Sequence, residues 1–221
     1  MKYLLVFFFL VASLPEILAQ NFKVEVSKIG QFIDYDAFVL KVVISKNGEV
    51  YESEPGKYFN IYNLFRMGFT DDERYQILKK IEPYFKDYTL CARKPRAFYL
   101  VSGNPPRGGV FPKGQKYTIA VEAMIIINYM MFGDEASFLS TFPVLYDRCT
   151  KTEVAYDDKE KISCLANSYK EWIESKKSSG KYSIKDIFSF DNGRITWLGG
   201  DNINSDEIRP FILTSVRGDF Y

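Results

Sequence analysis

Glu122 is the residue of this sequence best placed for chemistry, because it is the one carboxylate in the apolar stretch from Thr118 to Phe132. Burial raises the pKa of a carboxyl group, and a carboxyl that keeps its proton near neutral pH can act as a general acid. In a helix, Glu122 shares one side with the hydroxyls of Thr118 and Tyr129. Two roles remain open: a structural carboxylate paired with an arginine or with backbone amides, or a general acid beside a cleft.

A carboxylate-based hydrolase would need a second carboxyl group. Glycosidases place two such groups roughly 5–9.5 Å apart across the scissile bond. The sequence offers a partner for Glu122 in the region of Asp134, Glu135 and Asp147. A second carboxyl at that distance in an open cleft would support an enzyme. A Glu122 that is closed off from solvent and bonded to an arginine or to the backbone would be excluded as the general acid.

The sequence contains no histidine, which limits the catalytic and metal-binding chemistry that it can support. It excludes Ser-His-Asp and Cys-His catalysis, histidine-ligated zinc and a histidine pH switch. The glycines from Gly109 to Gly114 have the spacing of a phosphate-binding loop, but Gln115 and Lys116 stand where lysine and then serine or threonine are required. We therefore expect no cofactor and no metal.

The three cysteines are Cys91, Cys149 and Cys164. Thiols of exported proteins tend to be oxidised in pairs, and Cys164 lies off the apolar stripe of its predicted helix. These observations predict a Cys149–Cys164 disulfide and leave Cys91 as a buried free thiol. The alternative is that all three cysteines are reduced.

The N-terminus predicts export. Lys2 is followed by an uncharged apolar run from Leu4 to Ala12 and by a small residue at Ala19, as in a secretory signal peptide cleaved after Ala19. An uncleaved anchor is the alternative, but the apolar run is short for one. We expect a secreted or periplasmic protein with residues 20–221 as one domain and no stable membrane anchor. The net charge is +1, and positive and negative residues are interspersed along the chain, so the sequence predicts no basic surface for nucleic acid.

The stretch 118–132 is predicted to be a buried central helix. It is apolar on every side, so the rest of the fold must cover it. Buried strands rarely exceed about eight residues, which favours a helix, and a membrane span needs roughly 18 or more apolar residues. We expect the other elements to pack on this helix.

Local patterns predict the remaining elements. Asn47 and Gly48 suit the turn of a hairpin near 37–53, and Thr70 with Glu73 forms a capping box at a helix start. Further helices are predicted at 59–67, at 135–139 and from Asp157 or Asp158 to Gly180. Further strands are predicted at 22–26, 88–101, 143–146, 188–190, 195–197 and 210–214.

The sequence thus predicts an α+β domain in which antiparallel hairpins pack with about three substantial helices around 118–132. Aromatic residues are abundant, with 16 Tyr and 19 Phe, which suits either a Phe- and Tyr-rich core or a partner surface. The favoured function is a binding or interaction module without catalysis, for a protein or carbohydrate partner. The alternative is the extracytoplasmic hydrolase with Glu122 as its acid.

Overall fold

The computed structural model describes residues 22–31, 34–52, 68–93, 98–99, 109–110, 116–132, 144–179 and 193–198. The strands are β1 (Phe22–Gln31), β2 (Asp34–Lys46), β3 (Glu49–Glu52), β4 (Leu90–Cys91), β5 (Phe98–Tyr99), β6 (Gly109–Val110), β7 (Tyr117–Thr118), β8 (Val144–Asp147), β9 (Thr152–Glu153) and β10 (Ile195–Leu198). The helices are α1 (Asp71–Ile81), α2 (Ile119–Phe132) and α3 (Lys159–Ser179), with a short 3₁₀ helix at Glu82–Lys86. This mixture confirms the α+β class.

The largest sheet has five strands in the order β1-β2-β4-β7, with β3 also paired to β2. The β1–β2 and β2–β3 pairs are antiparallel hairpins, whereas β4 runs parallel to β2. The second hairpin turns where the sequence predicted it, because Asn47 and Gly48 both adopt the positive φ of a tight primed turn. One face of β2 supplies Leu40, Val42 and Ile44 to the core.

The outer edge of β1 is partly closed. The Leu40 N–H points to Glu122, and the Phe38 carbonyl accepts the Ala92 N–H. The even-numbered residues of β2 therefore direct their backbone N–H and C=O groups away from β1. Their antiparallel partners in β1 direct the same groups away from β2, towards the outer edge of the sheet. The Tyr84 hydroxyl donates to one of these outward carbonyls, that of Val26, at 2.9 Å. A sheet edge covered in this way is protected against pairing with another chain.

Helix α1 begins with the predicted capping box. The Thr70 hydroxyl accepts the Glu73 N–H at 3.2 Å, and the Glu73 carboxylate accepts the Thr70 N–H at 2.7 Å. The α-helix ends at Ile81, and Pro83 lies in the 3₁₀ helix that follows. Proline lacks an N–H and cannot continue the α-helical hydrogen-bond ladder.

Helix α2 is the buried centre of the described structure, as predicted. Eight of its apolar side chains are at most 3% exposed: Ile119, Ala120, Ala123, Met124, Ile125, Ile126, Ile127 and Met130. It leaves the end of β7 directly and packs against β2, α1, α3 and the 3₁₀ helix. A helix that is apolar all round is stable in water only when it is surrounded in this way.

Helix α3 begins where Asp158 caps it, with the Asp158 carboxylate accepting the Lys161 N–H at 3.1 Å. Its buried side chains follow the predicted stripe: Ile162, Leu165, Ala166, Tyr169, Trp172 and Ile173. Beside it lies a three-stranded antiparallel sheet in the order β10-β8-β9. The predicted strand at 195–197 is thus confirmed as β10, and its described partner is β8.

Several predicted elements cannot be compared with the structure. The predicted helices at 59–67 and 135–139, and the strands at 188–190 and 210–214, lie outside the described residues. The predicted strand region 88–101 contains two short strands, β4 and β5, in different sheets. Within the described ranges, no helix has the length and apolarity to cross a membrane.

Replacing Lys151 with glycine is expected to raise the free energy of unfolding by about 0.5 kcal/mol. Lys151 ends the turn between β8 and β9 with φ of 55°, where a Cβ atom is strained and glycine is not. Urea unfolding followed by circular dichroism measures the change. Lys151→Ala is the control, since it removes the charge but keeps the Cβ atom. An equal gain in both variants would contradict the backbone explanation.

Candidate functional site

Glu122 lies in a closed cluster where α2 meets β2 and β4. Its side chain is 1% exposed, and one carboxylate oxygen lies 2.6 Å from Nε of Arg93, which is 8% exposed. The other oxygen accepts the Leu40 backbone N–H at 2.9 Å. Both oxygens are therefore engaged inside the fold, by a cation and by a backbone donor.

The Cys91 thiol completes this cluster. Burial raises the pKa of Glu122, while the Arg93 charge and the Leu40 N–H oppose that rise. Burial and the nearby Glu122 charge raise the pKa of the Cys91 thiol well above its ordinary value. A thiol that keeps its proton is a poor nucleophile. Cys91 is buried and forms no disulfide, as predicted.

The predicted hydroxyl seam around Glu122 is wrong at Thr118. The Thr118 hydroxyl accepts the Val121 N–H at the start of α2. The partners of Glu122 come instead from the segment just after β4 and from β2, and the sequence did not predict either of them. The one usable signal was the buried charge itself, because a buried carboxylate requires a cation or hydrogen-bond donors.

Of the three residues predicted to supply a second carboxyl group, Asp147 is the one that lies within the described part of the chain. Asp134 and Glu135 lie outside the described residues. Asp147 lies at the end of β8, where it forms ion pairs with Lys161 and Arg194. The structure thus brings Glu122 together with Arg93, and Asp147 with a separate set of cations.

Asp147 is the second buried carboxylate with charged partners. Its side chain is fully buried, and one oxygen lies 3.1 Å from Nζ of Lys161 and 3.5 Å from a guanidinium nitrogen of Arg194. The other oxygen accepts the N–H groups of Cys149 and Thr150 in the following turn. Despite burial, these donors lower the pKa of Asp147 to about 2. Asp147 is therefore ionised at neutral pH and ties the turn to α3.

The predicted Cys149–Cys164 disulfide is wrong. No disulfide is formed, and both side chains are exposed. The turn that carries Cys149 is held to α3 through Asp147 and Lys161, so the two segments approach each other through this ion pair. The position of Cys164 off the apolar stripe indicated an exposed side chain and gave no information about a bonding partner.

Alkylation of the denatured but unreduced protein is expected to label all three cysteines. The physical reason is the absence of a bond between Cys149 and Cys164. Mass spectrometry counts the labels, and a sample reduced beforehand is the control. A single label before reduction and three labels after it would contradict the structure.

A chain of buried polar groups joins α2, α3 and β10. The Trp197 indole N–H donates to the Tyr169 hydroxyl at 2.7 Å, and this hydroxyl donates to the Asn128 side-chain oxygen at 2.6 Å. Both tryptophans of the sequence are buried, with Trp197 4% and Trp172 8% exposed. In this part of the molecule the aromatic side chains belong to the core.

No metal-binding group of His, Cys, Asp and Glu residues is present in the ranges that the structure describes. Comparison of the chain with models of protein families, with curated proteins and with solved structures found no match.

Proposed function

We propose that the mature chain is an exported protein that works by binding a partner, without catalysing a reaction. The observation that carries this proposal is the closure of Glu122 between Arg93 and the Leu40 N–H. This residue was the best candidate for acid catalysis, and its carboxyl group is used to hold the fold together.

A general acid must reach the atom that it protonates, at a heavy-atom distance of about 2.6–3.2 Å. Glu122 is 1% exposed and its oxygens already have partners. A substrate would have to displace Arg93 and separate α2 from β2 before it met the carboxyl group. This geometry favours the structural role of Glu122.

Two other reactive groups of the described structure, Asp147 and Cys91, are also buried within the fold. Asp147 has a pKa of about 2, so it carries no proton to donate at neutral pH. The Cys91 thiol is 2% exposed and its pKa is raised. Together with the lack of histidine in the whole sequence, these properties support binding over catalysis.

The N-terminal sequence and the composition support the place and the partner that we propose. The signal-like segment ending at Ala19 directs the chain to a secreted or periplasmic location. A net charge of +1 favours a protein or carbohydrate partner over nucleic acid. We expect the exported chain to begin at Gln20, which N-terminal sequencing of the secreted protein tests.

The decisive experiment compares turnover with binding. The mature protein, Glu122→Gln and the control Glu174→Gln are incubated with chromogenic glycosides and fluorogenic peptides, and are applied to a glycan array and an array of extracellular proteins. Glu174 is a half-exposed glutamate on α3 that pairs with Lys79. We expect no turnover by any of the three and the same binding profile for all three.

Turnover that Glu174→Gln retains and Glu122→Gln loses would overturn the proposal and establish Glu122 as a catalytic acid. Circular dichroism of both variants shows whether each is folded before the comparison is made. Turnover that persists in a folded Glu122→Gln variant would also overturn the proposal, and it would assign catalysis to other residues.

A further inference from the structure

We draw no further inference here: the strongest candidate, the outer edge of β1 between Phe22 and Val26, carries nothing because Tyr84 already occupies the Val26 carbonyl and nothing in the described part of the chain shows which strand would pair with the rest of that edge.

Discussion

Replacing Arg93 with methionine is expected to lower the free energy of unfolding by about 3 kcal/mol at pH 7, because removing one partner of a buried ion pair leaves the other charge uncompensated. The pair joins the segment just after β4 to α2, with 2.6 Å between Nε of Arg93 and the nearer oxygen of Glu122. Strand β4 has only two residues, with one register pair to β2 and two to β7. Urea unfolding followed by circular dichroism measures the loss.

The deficit of Arg93→Met is expected to shrink as the pH falls from 7 to 5. Burial already raises the pKa of Glu122 while Arg93 is present, and loss of the cation raises it further. A carboxyl whose folded pKa lies above its unfolded value contributes stability at low pH, and this stability is lost as the pH rises through the folded pKa. A deficit that stays constant over this range would show that lost packing, rather than an unpaired carboxylate, causes the destabilisation.

The double variant Arg93→Met with Glu122→Gln tests whether the unpaired charge of Glu122 causes the loss of stability. Glutamine keeps an oxygen for the Leu40 N–H and removes the buried negative charge. We expect the double variant to be more stable at pH 7 than Arg93→Met alone, by about 2 kcal/mol, since a neutral pair carries no uncompensated charge. Arg74→Met, at an exposed pair with Asp71, is the control and is expected to cost less than about 1 kcal/mol. If the cost of the double variant equals the sum of the costs of Arg93→Met and Glu122→Gln, the two residues are not energetically coupled.

Replacing Asp147 with asparagine is expected to cost about 2–3 kcal/mol at pH 7. Asparagine keeps an oxygen for the N–H groups of Cys149 and Thr150, but its amide cannot pair with the ammonium of Lys161. The β8–β9 turn would then lose its ionic link to α3. Urea unfolding of Asp147→Asn and of the exposed control Asp71→Asn measures the difference.

The cost of Asp147→Asn is expected to change with pH in a lower range than the cost of Arg93→Met. The folded pKa of Asp147 is lowered to about 2, so its stabilising contribution is present above the unfolded value of 3.8 and is lost as the pH falls through the folded value. The cost of Asp147→Asn is therefore expected to be constant from pH 7 to about 5 and to decline towards pH 2. A cost that already declines between pH 7 and 5 would contradict the assignment.

The elements that the sequence predicted well are those encoded by neighbouring residues. Asn47 and Gly48 produce a turn because their own φ values allow it. Thr70 and Glu73 cap α1 because they are three residues apart and reach each other's backbone. The apolar stretch of α2 indicated its own burial. Each of these features depends on residues that are close together in the sequence.

The partners of the buried charges could not be predicted, because they are distant in sequence. Glu122 and the Leu40 N–H are 82 positions apart, and the pairing of β4 with β2 and with β7 brings Arg93 to the same place. The pattern around Glu122 required a donor but did not identify one. Asp147 and Lys161 meet because β8 packs beside α3, which no local spacing indicates. The predicted disulfide was wrong for the same reason.

The positions of Trp172 on α3 and Trp197 on β10 make intrinsic fluorescence selective for one side of the molecule. These are the two tryptophans of the chain, and neither lies in the sheet of β1, β2, β3, β4 and β7. Exposure of their indole rings to water on unfolding would shift the emission maximum to longer wavelength, and this shift would report the separation of α3 and β10 from α2. Far-ultraviolet dichroism reports all helices and strands at once. Coincident midpoints from the two signals would therefore show that the sheet and the α3 side unfold as one cooperative unit.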